Sequence, residues 1–192
     1  SHQAIEDISL MRTLPNMTVI NPADAKEAEA AVLAAIDYQG PVYIRLGRAE
    51  TKDIHDDSYH FEWGKAEVLR QGSDVSIFAT GIMTAKALDA AETLAKQGIQ
   101  AEVINVHTIK PLDEETVIAS AKKTRKVVTA EEHSIIGGLG SAVAEVLARQ
   151  CPTKQAFVGV QDSFGESGSP DDLLEKYGLT AEVIVKAAVG LQ

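Results

Sequence analysis

One cysteine, Cys151, stands in the 192 residues, so neither an internal disulfide nor a cysteine-based zinc site can form. No stretch approaches the roughly 20 consecutive apolar residues that a membrane span requires. The opening residues, SHQAIEDISLMR, lack the basic start and apolar run of a signal peptide. Basic residues are in deficit: 18 Lys and Arg against 28 Asp and Glu give a net charge of −10. That balance excludes the basic footprint of a nucleic-acid binder and fits a well-solvated surface. Internal repeats and low-complexity tracts are missing as well. These absences together predict a cytoplasmic protein with no membrane and no nucleic-acid partner. The chain opens on Ser1-His2 rather than on a methionine, and reads as a segment of a longer protein.

What is present is ordinary for a globular α/β chain: 45% hydrophobic and 24% charged residues. Residues 5–14 carry Ile5, Ile8, Leu10, Met11 and Leu14 near one face of a helix, which Pro15-Asn16 ends. Met17 to Ile20 reads as a short strand. Asp24 is placed to cap a second helix, in which Ala28, Val32, Ala35 and Ile36 recur at helical spacing. Gly40-Pro41 closes it, and residues 42–46 form the next strand. Residues 49–62 (AETKDIHDDSYHFE) are polar and aperiodic and read as a linker. Beyond them strands (75–80, 101–106, 126–130, 156–160) alternate with helices (83–97, 113–122, 139–150, one from Ser169, and 181–190). Gly98 sits where a helix-terminating glycine belongs. Ser169-Pro170-Asp171-Asp172 combines an N-cap, a proline at the first helical position and a capping acid. The alternation predicts a three-layer α/β/α domain with a mostly parallel sheet over 65–192. A linker (51–64) and an incomplete α/β domain (1–50) precede it.

Several motifs could carry chemistry. Gly137-Gly138-Leu139-Gly140 lies between a strand and a helix, where a glycine-rich turn can admit phosphate. The third glycine position is Val143, however, and five residues separate the strand from the first glycine, so helix packing is the better reading. Gly165-Glu166-Ser167-Gly168 lacks the final glycine of a nucleophile elbow and reads as a turn. Glu131-Glu132-His133 could bind metal or shuttle protons, but neighbours on a strand point to opposite faces, which favours a hydrogen-bonded structural role. His55 and His60 fall in the linker and are expected to be solvated. His2 precedes the first helix, and Arg45 and Arg48 follow a strand, where sites in α/β folds gather. An arginine there suits a phosphate group because its planar fork donates two parallel hydrogen bonds.

Ser1-His2-Gln3-Ala4-Ile5-Glu6-Asp7, Leu10-Met11-Arg12, Pro15-Asn16-Met17-Thr18-Val19 and Gly40-Pro41-Val42-Tyr43-Ile44-Arg45-Leu46-Gly47-Arg48 resemble the THQ…E…LR…PN…V signature of transketolases and its continuation. Asn105 to Asp113, Thr129 to His133, Gly137 to Ser141, Asp162 to Gly165 and Leu174 to Leu179 resemble that family's C-terminal domain. The likeness is strongest to transketolases encoded as two polypeptides. Deoxyxylulose-phosphate synthases and 2-oxo-acid dehydrogenase β-subunits share its weaker parts, so a non-catalytic dimerisation or regulatory domain of such an enzyme is the alternative reading. The resemblance implies thiamine-diphosphate-dependent transfer of a two-carbon ketol unit from a ketose phosphate to an aldose phosphate. It implies that His2 is catalytic, working at the sugar hydroxyls, and that Arg48 holds the sugar phosphate. Position 47 is Gly where many members have Ser. It also implies thiamine diphosphate and Mg²⁺ in the intact enzyme and none bound to this chain alone. The family's Gly-Asp-Gly metal motif does not occur here, and its activating glutamate lies upstream of the THQ histidine. The expected partners are an N-terminal transketolase section or subunit, further copies in a homodimer or larger homo-oligomer, and sugar phosphates. The isolated segment is expected to be inactive.

Overall fold

The structure is a computed structural model that describes residues 4–48 and 50–192. The first segment contains α1 (Asp7–Thr13), β1 (Thr18–Ile20), α2 (Ala25–Ile36) and β2 (Val42–Ile44). After residues 50–66, which hold no helix or strand, come β3 (Glu67–Arg70), β4 (Val75–Ala79), α3 (Met83–Lys96), β5 (Ala101–Asn105), β6 (Thr108–Lys110) and α4 (Glu114–Thr124). Then follow β7 (Lys126–Ser134), α5 (Leu139–Gln150), β8 (Lys154–Val160), α6 (Pro170–Lys176) and α7 (Ala181–Val189).

Five strands form the main sheet in the order β3-β5-β4-β7-β8, parallel except for the antiparallel edge strand β3. Strand alternation divides its side chains between two cores. Val75, Ile77 and Ala79 of β4 face α3 and α7, where Leu94 and Ile184 are fully buried. Phe78 points the other way, to Val117 of α4 and Val143 and Leu147 of α5. Ser76 shares that second face, and its hydroxyl meets Ser120 Oγ at 2.5 Å and Thr124 Oγ1 at 2.7 Å, so the polar atom is satisfied inside the core. The result is the α/β/α layering that the alternating pattern predicts.

Local stop and start signals work as their chemistry requires. Asp24 Oδ1 accepts from Glu27 N at 2.9 Å and caps α2. Gly98 takes φ +81° after α3, and the Gly98 and Ile99 amides return to Ala95 and Leu94 carbonyls, a closure that a side chain at 98 would strain. Asp113 caps α4 through Thr116 N and also accepts from Ala66 N, tying the irregular segment to the second core. Asp113→Ala is expected to cost about 1–2 kcal/mol in urea unfolding. An unchanged midpoint would mean that water replaces both contacts.

Two elements depart from the sequence expectation. β3 and β6 are short, and the sequence pattern places no strand over 67–70 or 108–110. β6 does not join the main sheet. It pairs antiparallel with β1, completing a three-stranded sheet β2-β1-β6 that mixes the two segments. Ile8, Val19, Ile109 and Ala142 form a small core beneath it. The helical spacing in the first segment is real, but it does not bury everything it aligns. Val32 (45%), Leu33 (59%) and Ile36 (74%) of α2 and Leu10 of α1 (58%) lie exposed, while Glu27 and Ala31 occupy the buried side of α2. No described helix is long and apolar enough to cross a membrane.

Candidate functional site

The parallel pair β1 and β2 ends at Ile20 and Ile44, and the chain turns there towards the arginines. Arg48 lies just beyond β2 and is exposed; among the described residues it forms no ion pair. His2 lies outside the described residues. Arg45 is of a different kind. Its Nε donates to Asp7 Oδ2 at 3.1 Å, one terminal nitrogen to Glu132 Oε2 at 3.2 Å, and the other to the Ala4 carbonyl at 3.1 Å. Tyr43 also donates to Asp7, at 2.7 Å. Arg45 is therefore committed inside the protein, and of the two arginines only Arg48 faces solvent at the strand end.

Glu131, Glu132 and His133 are read out by three different partners, as the alternation of a strand demands. Glu132 turns to Arg45. Glu131, on the other face and fully buried, accepts from Leu139 N at 2.6 Å and Gly140 N at 2.8 Å, so its carboxylate occupies the N-terminus of α5. Burial drives its pKa up to about 7 against those two amide bonds and the nearby Arg12 and Arg45. The glycine-rich turn makes this possible. A Cβ at Gly138 would lie 2.0 Å from Glu131 Oε2, and one at Gly140 would meet the Phe157 ring at 2.5 Å. Arg12 fastens the same turn through the Gly137 and Gly138 carbonyls.

His133 is also fully buried and joins the segments. Its Nε2 accepts from Ser9 N at 3.4 Å in the first turn of α1, and Nδ1–H donates to the Ser134 carbonyl at 2.7 Å. Ser134 N donates in turn to the Ile5 carbonyl at 2.7 Å. At the other end of α1, Lys110 Nζ donates to the Arg12 and Leu14 carbonyls. Burial lowers the pKa of His133 below its ordinary value, with the Ser134 bond opposing. A depressed histidine contributes stability that is complete above the unfolded pKa near 6.5 and is lost as pH falls below it. The His133 contribution to unfolding free energy should therefore decline from pH 7 to pH 5, while Glu131 and His55, whose pKa values are raised, contribute the opposite trend over that range, and His133→Gln should remove its share of the slope. A slope identical in both proteins would place the acid sensitivity elsewhere.

The irregular segment between the two units is not a solvated tether. His55, expected to be solvated, has only 4% of its side chain exposed. Its Nδ1 meets Asp24 Oδ2 at 3.0 Å and its Nε2 meets Glu67 Oε2 at 2.9 Å. Tyr59 likewise reaches Glu27 of α2, so the stretch is pinned at these two side chains while most of its charged residues stay exposed. Burial alone would lower the pKa of His55, but the bonds to Glu67 and Asp24 and the field of Glu27 push it up to about 9. His60 is exposed, as its surroundings in the sequence suggest. Glu27, with no exposure, accepts from Ala23 N (2.6 Å), Tyr59 Oη (2.7 Å) and Asn105 Nδ2 (2.8 Å). A solvent-open cavity of about 580 Å³ lies beside this network, lined by His55, Tyr59, Glu67 and His107 among others.

Two family models match the chain. The pyrimidine-binding domain of transketolase covers residues 1–53, and the transketolase C-terminal domain covers residues 64–184. The chain belongs to the transketolase family. A 6-deoxy-6-sulfo-D-fructose transketolase subunit of Clostridium sp. (strain MSTE9) is 55% identical over 188 residues, which is 98% of this chain and 58% of that protein. A putative transketolase C-terminal section from Methanocaldococcus jannaschii is 46% identical over 97% of this chain and 59% of its own length. Among solved structures, a split-gene transketolase described as an inactive beta4 tetramer superposes with a TM-score of 0.96 at 54% identity, covering 99% of this chain and 62% of that one. The Campylobacter jejuni transketolase superposes at 0.76 with 25% identity, covering 98% of this chain and 28% of that one. The chain thus spans little more than half the length of the curated relatives it matches.

Transketolases depend on thiamine diphosphate, and the described residues do not fit that group. The one glycine-rich helix N-terminus that resembles a phosphate cradle is filled by the carboxylate of Glu131. Glu27, His55 and Glu67 do converge, with ligand atoms within 4.8 Å of one another. One of the three is an imidazole, however, whereas a diphosphate-bound Mg²⁺ takes oxygen ligands and keeps several waters. Sequence reasoning singled out Arg48 and the glycine turn but passed over Arg45 as a brace, the partners of Glu131, and His55. For Arg45 and Glu131 the only available signal was their charge in otherwise apolar strands.

Proposed function

We propose that this chain is the C-terminal portion of a transketolase, working with an N-terminal section or subunit that carries the thiamine diphosphate and Mg²⁺ site. The intact enzyme moves a two-carbon ketol unit from a ketose phosphate to an aldose phosphate. The match of both family models in their proper order, over residues 1–53 and 64–184, carries this reading. In it, Arg48 holds the anionic end of the sugar with its exposed guanidinium, and His2 hydrogen-bonds and moves protons at the hydroxyls beside the scissile bond. Arg45 braces the backbone at Ala4, two residues past His2. The exposed apolar positions of α1 and α2 are the surface on which the remaining part of the enzyme, or further copies of this chain, pack. Residues 1–50 belong to the pyrimidine-binding domain and 65–192 to the C-terminal domain in this reading.

A calorimetric titration of the chain with thiamine diphosphate and Mg²⁺ tests the division of labour, and no binding is expected. Ketol transfer should appear on addition of the N-terminal section. Arg48→Ala in that complex should lower kcat/KM for phosphorylated sugars about tenfold or more, and far less for unphosphorylated acceptors. Transfer by the chain unaided would overturn the division, and an equal loss for both substrate classes would remove Arg48 from the phosphate. The 55% identity to a sulfofructose transketolase subunit supports one further reading, that the anionic group is a sulfonate. Both are tetrahedral oxyanions that an arginine fork can hold, so donors bearing each should be compared directly.

A further inference from the structure

Asp24, Glu27 and Glu67 surround His55, yet among the described residues none of the three carboxylates forms an ion pair with a lysine or arginine. Glu27 is the extreme case: a carboxylate with no exposure, held only by an amide, a phenol and a side-chain amide. Asp24 and Glu27, both buried, with the half-exposed Glu67 beside them, outnumber the one imidazole and leave net negative charge at the site, and buried charge calls for a counter-ion. The imidazole is set up to supply a nitrogen ligand. Its Nδ1 is engaged by the carboxylate of Asp24, 3.0 Å away, which fixes the ring and aims Nε2 at Glu67. A carboxylate behind a histidine, orienting its other nitrogen, is the usual support of a metal-bound imidazole.

We propose that Glu27, His55 and Glu67 form a binding site for a divalent transition-metal ion of the Zn²⁺ class, with Asp24 orienting His55. One nitrogen and two carboxylate oxygens with an open fourth position suit Zn²⁺ or Co²⁺ better than Mg²⁺ or Ca²⁺, which prefer oxygen alone. The ligand atoms lie within 4.8 Å of one another, and His55 Nε2 and Glu67 Oε2 within 2.9 Å. Tetrahedral ligands at about 2.1 Å from an ion stand roughly 3.4 Å apart, so binding closes the wider separations by up to about 1.4 Å and opens the His55–Glu67 pair by about half an ångström. The cavity lined by His55 and Glu67 provides the way in and a water for the fourth position. Glu27 belongs to α2, His55 to the connection and Glu67 to β3, so the ion is a clasp between the two segments.

The test is a titration of the full, chelator-stripped chain with Co²⁺, followed by its visible absorption, and with Zn²⁺ against a chromophoric chelator. One ion per chain is expected, with a low-symmetry Co²⁺ spectrum. Glu67→Gln and His55→Gln should each weaken binding about tenfold or more, Asp24→Asn should weaken it by a similar factor through the ring, and His60→Ala should leave it unchanged. Glu67 is 42% exposed, so its variant keeps the fold and the result stays readable even if the His55 variant is damaged. Absence of saturable binding below the millimolar range overturns the site. So does binding that Glu67→Gln leaves intact, since the ion would then sit on surface carboxylates.

Discussion

Gly138→Ala is expected to destabilise the chain by roughly 3–5 kcal/mol, enough to lower the midpoint of thermal unfolding by about 8 °C or more. The new methyl carbon would stand 2.0 Å from Glu131 Oε2, 2.8 Å from its carboxyl carbon and 2.7 Å from His133 Nδ1. Neither neighbour is a free side-chain end. Glu131 is held by two α5 amides and His133 by the Ser134 carbonyl, and both are buried. To make room, the carboxylate must leave the helix N-terminus, giving up two charge-assisted hydrogen bonds worth about 1.5–3 kcal/mol each. Gly165→Ala is the matched control. Nothing lies within 4 Å of a Cβ there, and its effect should stay within about 0.5 kcal/mol. Near-equal stability of the two variants by urea and thermal unfolding would mean that Glu131 does not cap α5 in solution.

Arg45→Met should cost about 3 kcal/mol, with Arg45→Lys recovering little of it. Three donors of one planar guanidinium reach Asp7, Glu132 and the Ala4 carbonyl in different directions, and a single ammonium cannot span all three. The arginine and Asp7 are nearly enclosed, at 14% and 12% side-chain exposure, so removing the cation strands a carboxylate that Tyr43 alone then serves. Glu132, at 34%, remains in contact with water and contributes less. Asp7→Asn combined with Arg45→Met should therefore be less damaging than the sum of the two changes. Strict additivity in that double-mutant cycle would argue that the pair is not formed.

The parts of this structure that were legible in the sequence are those whose causes are local. Asp24, Ser169 and Gly98 announce helix ends because a cap or a left-handed turn is decided by a few adjacent residues. The buried strands of the main sheet announce themselves as short apolar runs between glycines and polar turns. β3 and β6 did not, because their pairing partners lie up to about ninety residues away and two short strands carry too little pattern of their own. The separation of Glu132 from Glu131 and His133 followed from strand alternation. Their partners did not, since an α5 amide, an α1 amide and a guanidinium from β2's end are brought there only by the fold. His55 shows the same limit in reverse. A run rich in Asp, Glu, His and Ser looks solvated when its charges are counted singly, and most of it is exposed, yet His55 turns inward to Asp24 and Glu67, carboxylates that lie outside the run. In the candidate site, Arg48 was legible because a motif and its position at a strand end coincide, while the bracing role of Arg45 depends on Ala4 and Glu132 arriving from both sides.

The mixed sheet β2-β1-β6 has a consequence for where this polypeptide can be divided. Residues 49–62 look like the natural place for a protease cut or a gene fission, since they are polar and irregular. A nick there would leave both fragments sharing one sheet, with Val19 facing Lys110 and Ile20 facing Thr108 across the break. Hydrogen exchange should accordingly show the β1 and β6 amides opening together, in one cooperative event, rather than as two modules with separate protection. The seam between the family's two domains, which is plain in the linear text, is in three dimensions a continuous strand ladder.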